Sequence, residues 1–145
     1  MKRRLFALFF VFSALMLTAC RQEGQALTVS DAWALPAPAG GNSAVYFVID
    51  NPMDQADTLL AASADIAQSV ELHRSEMSEE GTMSMHHHNQ VEVPPKSRVA
   101  FEPGGLHVML IDLPQNLESG EVFPVTLSFQ SAGEIQLDVT VRETP

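Results

Sequence analysis

Four side chains with soft or borderline donor atoms stand out in this chain: His73, Met85, His107 and Met109. Met85 and His107 are separated by 21 residues, and His107-Val108-Met109 places two of the four only two positions apart. Thioether sulfur is soft and uncharged and favours Cu(I) over hard cations, while imidazole accepts copper, zinc or nickel. Two imidazoles with two thioethers and no thiolate therefore form a donor set suited to monovalent copper. Met77, Met83 and the tract His86-His87-His88 lie close by in sequence and are candidates for auxiliary ligation. Histidine-rich tracts have metal affinity of their own, and here Cu(II), zinc or nickel would be their ion.

Each residue also has a plainer reading. A methionine on a strand is more often a flexible core filler than a ligand, and a single histidine is more often a surface or capped residue. The three consecutive histidines could be a solvated tract. The joint spacing is what favours ligation.

The elements that must carry these residues read as β throughout. Leu27–Trp33 alternates in part, and Ser43–Ile49 is rich in β-branched and aromatic residues. Further strands are expected at Asp57–Ala62, Ser69–His73, Met83–Val93 with interruptions, Arg98–Phe101, Leu106–Ile111, Val122–Gln130 and Glu134–Val141. Turn residues punctuate them at Pro36–Asn42, Asp50-Asn51-Pro52, Glu80-Gly81, Pro94-Pro95, Pro103-Gly104-Gly105, Ser119-Gly120 and Ala132-Gly133. Val125/Leu127/Phe129 and Ile135/Leu137/Val139/Val141 show the period-two faces of a half-buried antiparallel sheet. Short strands at this spacing predict one all-β domain, a sandwich or barrel.

On such strands, residues two apart share a face. His107 and Met109 then project together, as do Met83, Met85 and His87, with Ser84, His86 and His88 on the opposite side. His73 is expected to end its strand, near the rim of the sandwich. Three segments could thus bring four ligands to one rim site.

The segment Met1–Ala19 reads as an export signal. Lys2-Arg3-Arg4 is a basic start, and Leu5–Leu17 is an apolar run too short to span a bilayer, which takes about 20 residues. Leu17-Thr18-Ala19-Cys20 looks like a bacterial lipobox, in which the cysteine is acylated and becomes the first mature residue. Cys20 is the only cysteine, so no internal disulfide is possible, and acylation accounts for a leftover thiol in an exported chain. Residues 20–26 would form a lipidated tether and 27–145 the domain. Without Lys2, Arg3 and Arg4, five basic residues face 18 acidic ones, a formal charge of −13. Nucleic acid, which needs clustered Lys and Arg, is not an expected partner.

The motif resembles that of the periplasmic copper-A chaperones (PCuAC), His-x10-Met-x21-His-x-Met. Met85, His107 and Met109 match it, whereas the gap from His73 to Met85 is one residue longer than the pattern. The turn Met77–Gly81 is the place where one extra residue would be easiest to accommodate. Similarity extends through Asp31-Ala32-Trp33-Ala34, Ala44-Val45-Tyr46-Phe47, Val70-Glu71-Leu72-His73 and Pro103-Gly104-Gly105-Leu106-His107-Val108-Met109-Leu110. His86-His87-His88 departs from the arginine and proline expected after the motif methionine.

The resemblance implies a cupredoxin-like Greek-key β-sandwich that binds Cu(I) through His73, Met85, His107 and Met109. It implies delivery toward the binuclear copper site of cytochrome c oxidase, or to another copper-assembly protein. The domain is expected to be monomeric, in the periplasm of a bacterial envelope, and to touch a membrane only through the lipid on Cys20. Copper affinity should weaken on acidification, because both imidazoles must be neutral to bind. A blue-copper centre would need a cysteine ligand, and the domain has none after position 20. No Gly-x-Ser-x-Gly, His-Glu-x-x-His or phosphate loop suggests an enzyme. The standing alternatives are a copper buffer that uses the Met/His-rich segment 77–88, a binding module for another metal, and a lipoprotein whose methionines merely pack.

Overall fold

The computed structural model describes residues 26–144, and among them there is no α-helix. The signal segment, Cys20 and nearly all of the expected tether lie outside the described residues. Ten strands follow in order: β1 Thr28–Ala34, β2 Ser43–Asn51, β3 Asp57–Ser63, β4 Ser69–Met77, β5 Met83–His88, β6 Val91–Val93, β7 Ser97–Phe101, β8 Leu106–Ile111, β9 Val122–Phe129 and β10 Gly133–Val141. They hydrogen-bond in the series β5-β4-β8-β7-β2-β1-β10-β9-β3-β6. The two ends of the series fold toward each other, with β3 against β4 and β6 against β7. The result is the expected all-β sandwich.

Alternation builds the core. Leu106, Val108 and Leu110 of β8, Leu72 of β4, and Val45, Phe47 and Ile49 of β2 join Leu59, Val125, Leu127 and Val139 in one buried cluster. Phe47 stacks on Phe101 with ring centroids 4.3 Å apart. Each such ring removes a large apolar area from water, and truncating one to alanine costs about 3–5 kcal/mol. The regular β9/β10 ladder pairs Val125 with Leu137 and Phe123 with Val139, as the period-two faces require.

β2 is where the sheet divides. Its residues Phe47–Asn51 pair with β7, and Ser43–Val45 pair with β8. β1 bends around a bulge at Asp31, whose φ of 56° is one that Asp tolerates better than most residues. Beyond the bulge, Trp33 and Ala34 stay paired with Tyr46 and Val45 of β2 and on their other side run parallel to Thr140 and Val141 of β10. β2 also extends into the expected Asp50-Asn51-Pro52 turn as far as Asn51. There the buried Asn51 amide donates to the carbonyls of Gln55, Val93 and Pro94, while its oxygen accepts from Met53 N–H.

One expectation needs correction. β4 continues past His73 to Met77, so His73 sits in mid-strand and not at a strand end by the rim. Arg74-Ser75-Glu76-Met77 lacks apolar alternation; pairing with β5 keeps it extended.

Candidate metal centre

Register decides which of these side chains meet. His73 lies directly opposite His107 on β8 and Glu71 opposite Met109. On the other flank of β4, Ser75 faces Met85, His73 faces His87 and Met77 faces Met83. Directly opposed residues share a face of the sheet. One face therefore carries Glu71, His73, Ser75 and Met77 of β4, Met83, Met85 and His87 of β5, and His107 and Met109 of β8. It is the face opposite Leu72, Val108 and Leu110, which enter the core. The face expected for Met83, Met85 and His87 is the one found. His86 opposes Arg74 and bonds Ser84 at 3.2 Å, and His88 opposes Leu72; both belong to the other face.

Met85, His107 and Met109 line one open cleft together with Tyr46, Ser75 and Gly104. His73 stands beside it, its ring centroid 5.9 Å from that of His107. Tyr46 walls the cleft on the β2 side, 6.4 Å from the His107 ring and 4.6 Å from Trp33. Burial pushes the Tyr46 phenol above its ordinary pKa, so it stays protonated. Exposure differs across the set: His107 is buried, Met109 half-buried and Met85 exposed.

The turn before β8 aims His107. Gly105 N–H donates to Glu102 carbonyl across Pro103-Gly104, and Gly104 has φ 81°, the conformation a type II turn needs at its third position. The Gly105 carbonyl then accepts from Ser75 N–H at 3.0 Å and from His107 Nδ1–H at 3.1 Å. A carbonyl can only accept, so the His107 proton sits on Nδ1 and the lone pair on Nε2. Burial pushes His107 below the usual histidine pKa; the Gly105 bond opposes this, and repulsion from His73 adds to it. His107 is thus a neutral imidazole at neutral pH.

His73 is prepared in the opposite sense. Its Nε2 lies 2.8 Å from Glu71 Oε2. That hydrogen bond holds the Glu71 carboxyl below its usual pKa, so Glu71 is ionised and accepts the Nε2–H. The other nitrogen, Nδ1, is buried and has no hydrogen-bond partner among the described residues. A buried lone pair without a partner is uncommon in folded proteins, and a metal ion would satisfy it. A carboxylate or carbonyl on the far nitrogen is the usual support for a ligating histidine. Sequence reasoning misses Glu71 as the partner of His73, although the spacing Glu71-x-His73 on a strand already puts both on one face.

Among the described residues, no group of three or more His, Cys, Asp or Glu is gathered to hold an ion. As the side chains stand, the donors that join the two histidines at the cleft are the thioethers of Met85 and Met109. Met77 and Met83 lie farther out on the same hairpin face, both exposed.

Known proteins of this kind share the architecture. A family model described as "Putative lipoprotein LpqE-like" matches residues 27–141. The chain is 27% identical over 123 residues to "Putative lipoprotein Lxx21020" of Leifsonia xyli subsp. xyli, an alignment covering 84% of this chain and 73% of that protein. Among solved structures, the copper-bound PCuAC domain from PmoF2 superposes with a TM-score of 0.66 at 28% identity, covering 83% of this chain and 95% of that one. The solution structure of CuI-DR1885 from Deinococcus radiodurans superposes with a TM-score of 0.63 at 26% identity, covering 86% of this chain and 85% of that one. The resemblance read from the motif and the cupredoxin-like fold it implied both stand.

Proposed function

The chain belongs to the LpqE-like family, and from that premise we propose that it is a copper carrier of the bacterial cell envelope. Cu(I) is its cargo, held by His73, Met85, His107 and Met109. The observation that carries this reading is the pair of prepared histidines. Each has one nitrogen tied to an acceptor and the other left as a lone pair, on the face that also presents both thioethers. Copper in the structurally similar PCuAC domains supports the choice of metal.

Four neutral donors leave the bound ion with its single positive charge. Such a site suppresses free Cu(I) but yields it to a partner richer in thiolates, and it contains no cysteine to oxidise in the envelope. His107 is the buried anchor, and Met109 is fixed beside it by the same strand. Exposed Met85 is the donor an incoming ligand displaces first. The receiving site we propose is the binuclear copper site of cytochrome c oxidase or another copper-assembly protein. Lipid on Cys20 would hold the carrier at the membrane, a role the similar lipoprotein of Leifsonia xyli supports by its name.

Anaerobic Cu(I) titration of the full chain, with X-ray absorption to count neighbours, tests the site. One tight equivalent with two sulfur and two nitrogen neighbours is expected. Met109→Leu and His107→Ala should abolish it while the fold survives. If Met109→Leu unfolds the domain and leaves copper affinity unchanged, Met109 only packs. Storage is the competing reading, favoured by exposed Met77 and Met83; it requires several tight equivalents and no transfer to an oxidase copper domain.

A further inference from the structure

Of three consecutive histidines, the fold treats the middle one differently. Strand β5 alternates, so His86 and His88 face away from His73 while His87 faces it from the directly opposed position. The His87 ring lies edge-on to that of His73, with centroids 5.7 Å apart. On the other side of His73 the ring of His107 lies at 5.9 Å. Three imidazoles thus stand in a row across β8, β4 and β5, with His73 at the centre. Two imidazoles that share one ion through metal–nitrogen bonds of about 2 Å have centroids about 5–6 Å apart. Both neighbouring pairs already have that separation.

The donors along β5 point the same way. Met85 and His87 are two residues apart on the same face, a thioether and an imidazole at neighbouring positions opposite Ser75 and His73. Cu(I) is served by the thioether, whereas Cu(II), a harder ion, is better served by imidazole. Both side chains are exposed on a strand none of whose residues is buried, so exchanging one for the other needs rotation of side chains and no repacking. The buried, unpartnered Nδ1 of His73 is the donor common to both arrangements. The three rings do not yet converge; the exposed His87 is the one free to turn.

We propose that His87 is a copper ligand specific to Cu(II), completing a three-imidazole set with His73 and His107 in which it replaces Met85. His86 and His88 have no part in it. This rests on the reading of the same cleft as a copper site. His87 binds the metal in the oxidation state in which it is supplied, and the protein transfers no electron.

The test compares the metal-free full chain with His86→Gln, His87→Gln and His88→Gln. Each is titrated with Cu(II) against a competing chelator, with electron paramagnetic resonance to count coupled nitrogens, and with Cu(I) anaerobically. The native chain should show three coupled imidazole nitrogens with Cu(II). His87→Gln should show two, with Cu(II) affinity lower by about tenfold or more and Cu(I) affinity unchanged. His86→Gln and His88→Gln should match the native chain in both titrations. Equal loss in all three variants would mean a flexible tract binds the metal, and would overturn the proposal. So would a His87→Gln variant that keeps its Cu(II) affinity or loses Cu(I) to the same degree. If the native chain takes up no Cu(I), the copper-carrier reading itself fails; if it binds Cu(I) tightly and only the His87 pattern is missing, the present inference fails alone.

Discussion

Gly105 offers its carbonyl to His107 Nδ1–H at 3.1 Å, and Glu71 its carboxylate to His73 Nε2–H at 2.8 Å. Because neither acceptor can donate, the protons are placed before any metal arrives, and the free lone pairs are on His107 Nε2 and His73 Nδ1. Burial adds a second control by pushing His107 below the ordinary histidine pKa. A proton competes with the metal for the neutral ring, so affinity is full above the folded pKa and is lost as pH falls through it. For His107 the onset lies on the acid side of the usual value of about 6.5. Cu(I) affinity measured by competition should therefore hold steady down to about pH 6.5 and weaken below it. An affinity that already falls well above about pH 6.5 would contradict a His107 ligand whose proton is held off by burial.

At the scale of the element, the Pro103-Gly104 turn can be probed directly, because it fixes the carbonyl that orients His107. A Cβ at Gly104 would meet nothing within 4 Å, yet φ is 81°. Gly104→Ala should thus act through backbone conformation alone, costing about 1–2 kcal/mol and shifting Gly105 enough to weaken Cu(I) binding. Denaturant midpoints and copper competition measure both effects, and an unchanged midpoint would refute the account. The strands themselves were largely legible in the sequence, because alternation such as Ile135/Leu137/Val139/Val141 is a local property of a half-buried strand. The second half of β4 was not, since Arg74–Met77 owes its extension to pairing with β5, a contact made across a turn. The same limit applied to the candidate site. His107-x-Met109 and Met85-x-His87 declare a shared face by spacing alone, but the meeting of His73 with His107 and His87 depends on the register of three strands. Local sequence contains no record of register.

Over the whole molecule, the cleft is carried on β4, β5 and β8, while much of the closure of the fold depends on groups elsewhere. Asp57 at the start of β3 is buried and accepts from the backbone N–H groups of Thr58, Ser131 and Ala132 at 2.7–2.8 Å. Burial alone would raise its pKa, but these bonds outweigh it and hold the carboxyl below the usual range. Its contribution is therefore present above the unfolded value and is lost as pH falls through the folded one. Asp57→Ala, which leaves three donors without an acceptor, should cost about 2–3 kcal/mol and flatten the acid limb of stability, with Cu(I) stoichiometry unchanged. A variant with native stability would show that water replaces the carboxylate. The opposite situation holds at β5. Among the described residues it is an edge strand bonded only to β4, and it buries no side chain in the core. Opening of that hairpin is accordingly a local event, close to the low end of the range of opening free energies found within one protein. Met85 and His87 can fray away and return while His73, His107 and Met109 stay fixed on interior strands. The lifetime of an ion held as proposed would then be set by the breathing of one hairpin and not by how stable the sandwich as a whole has become.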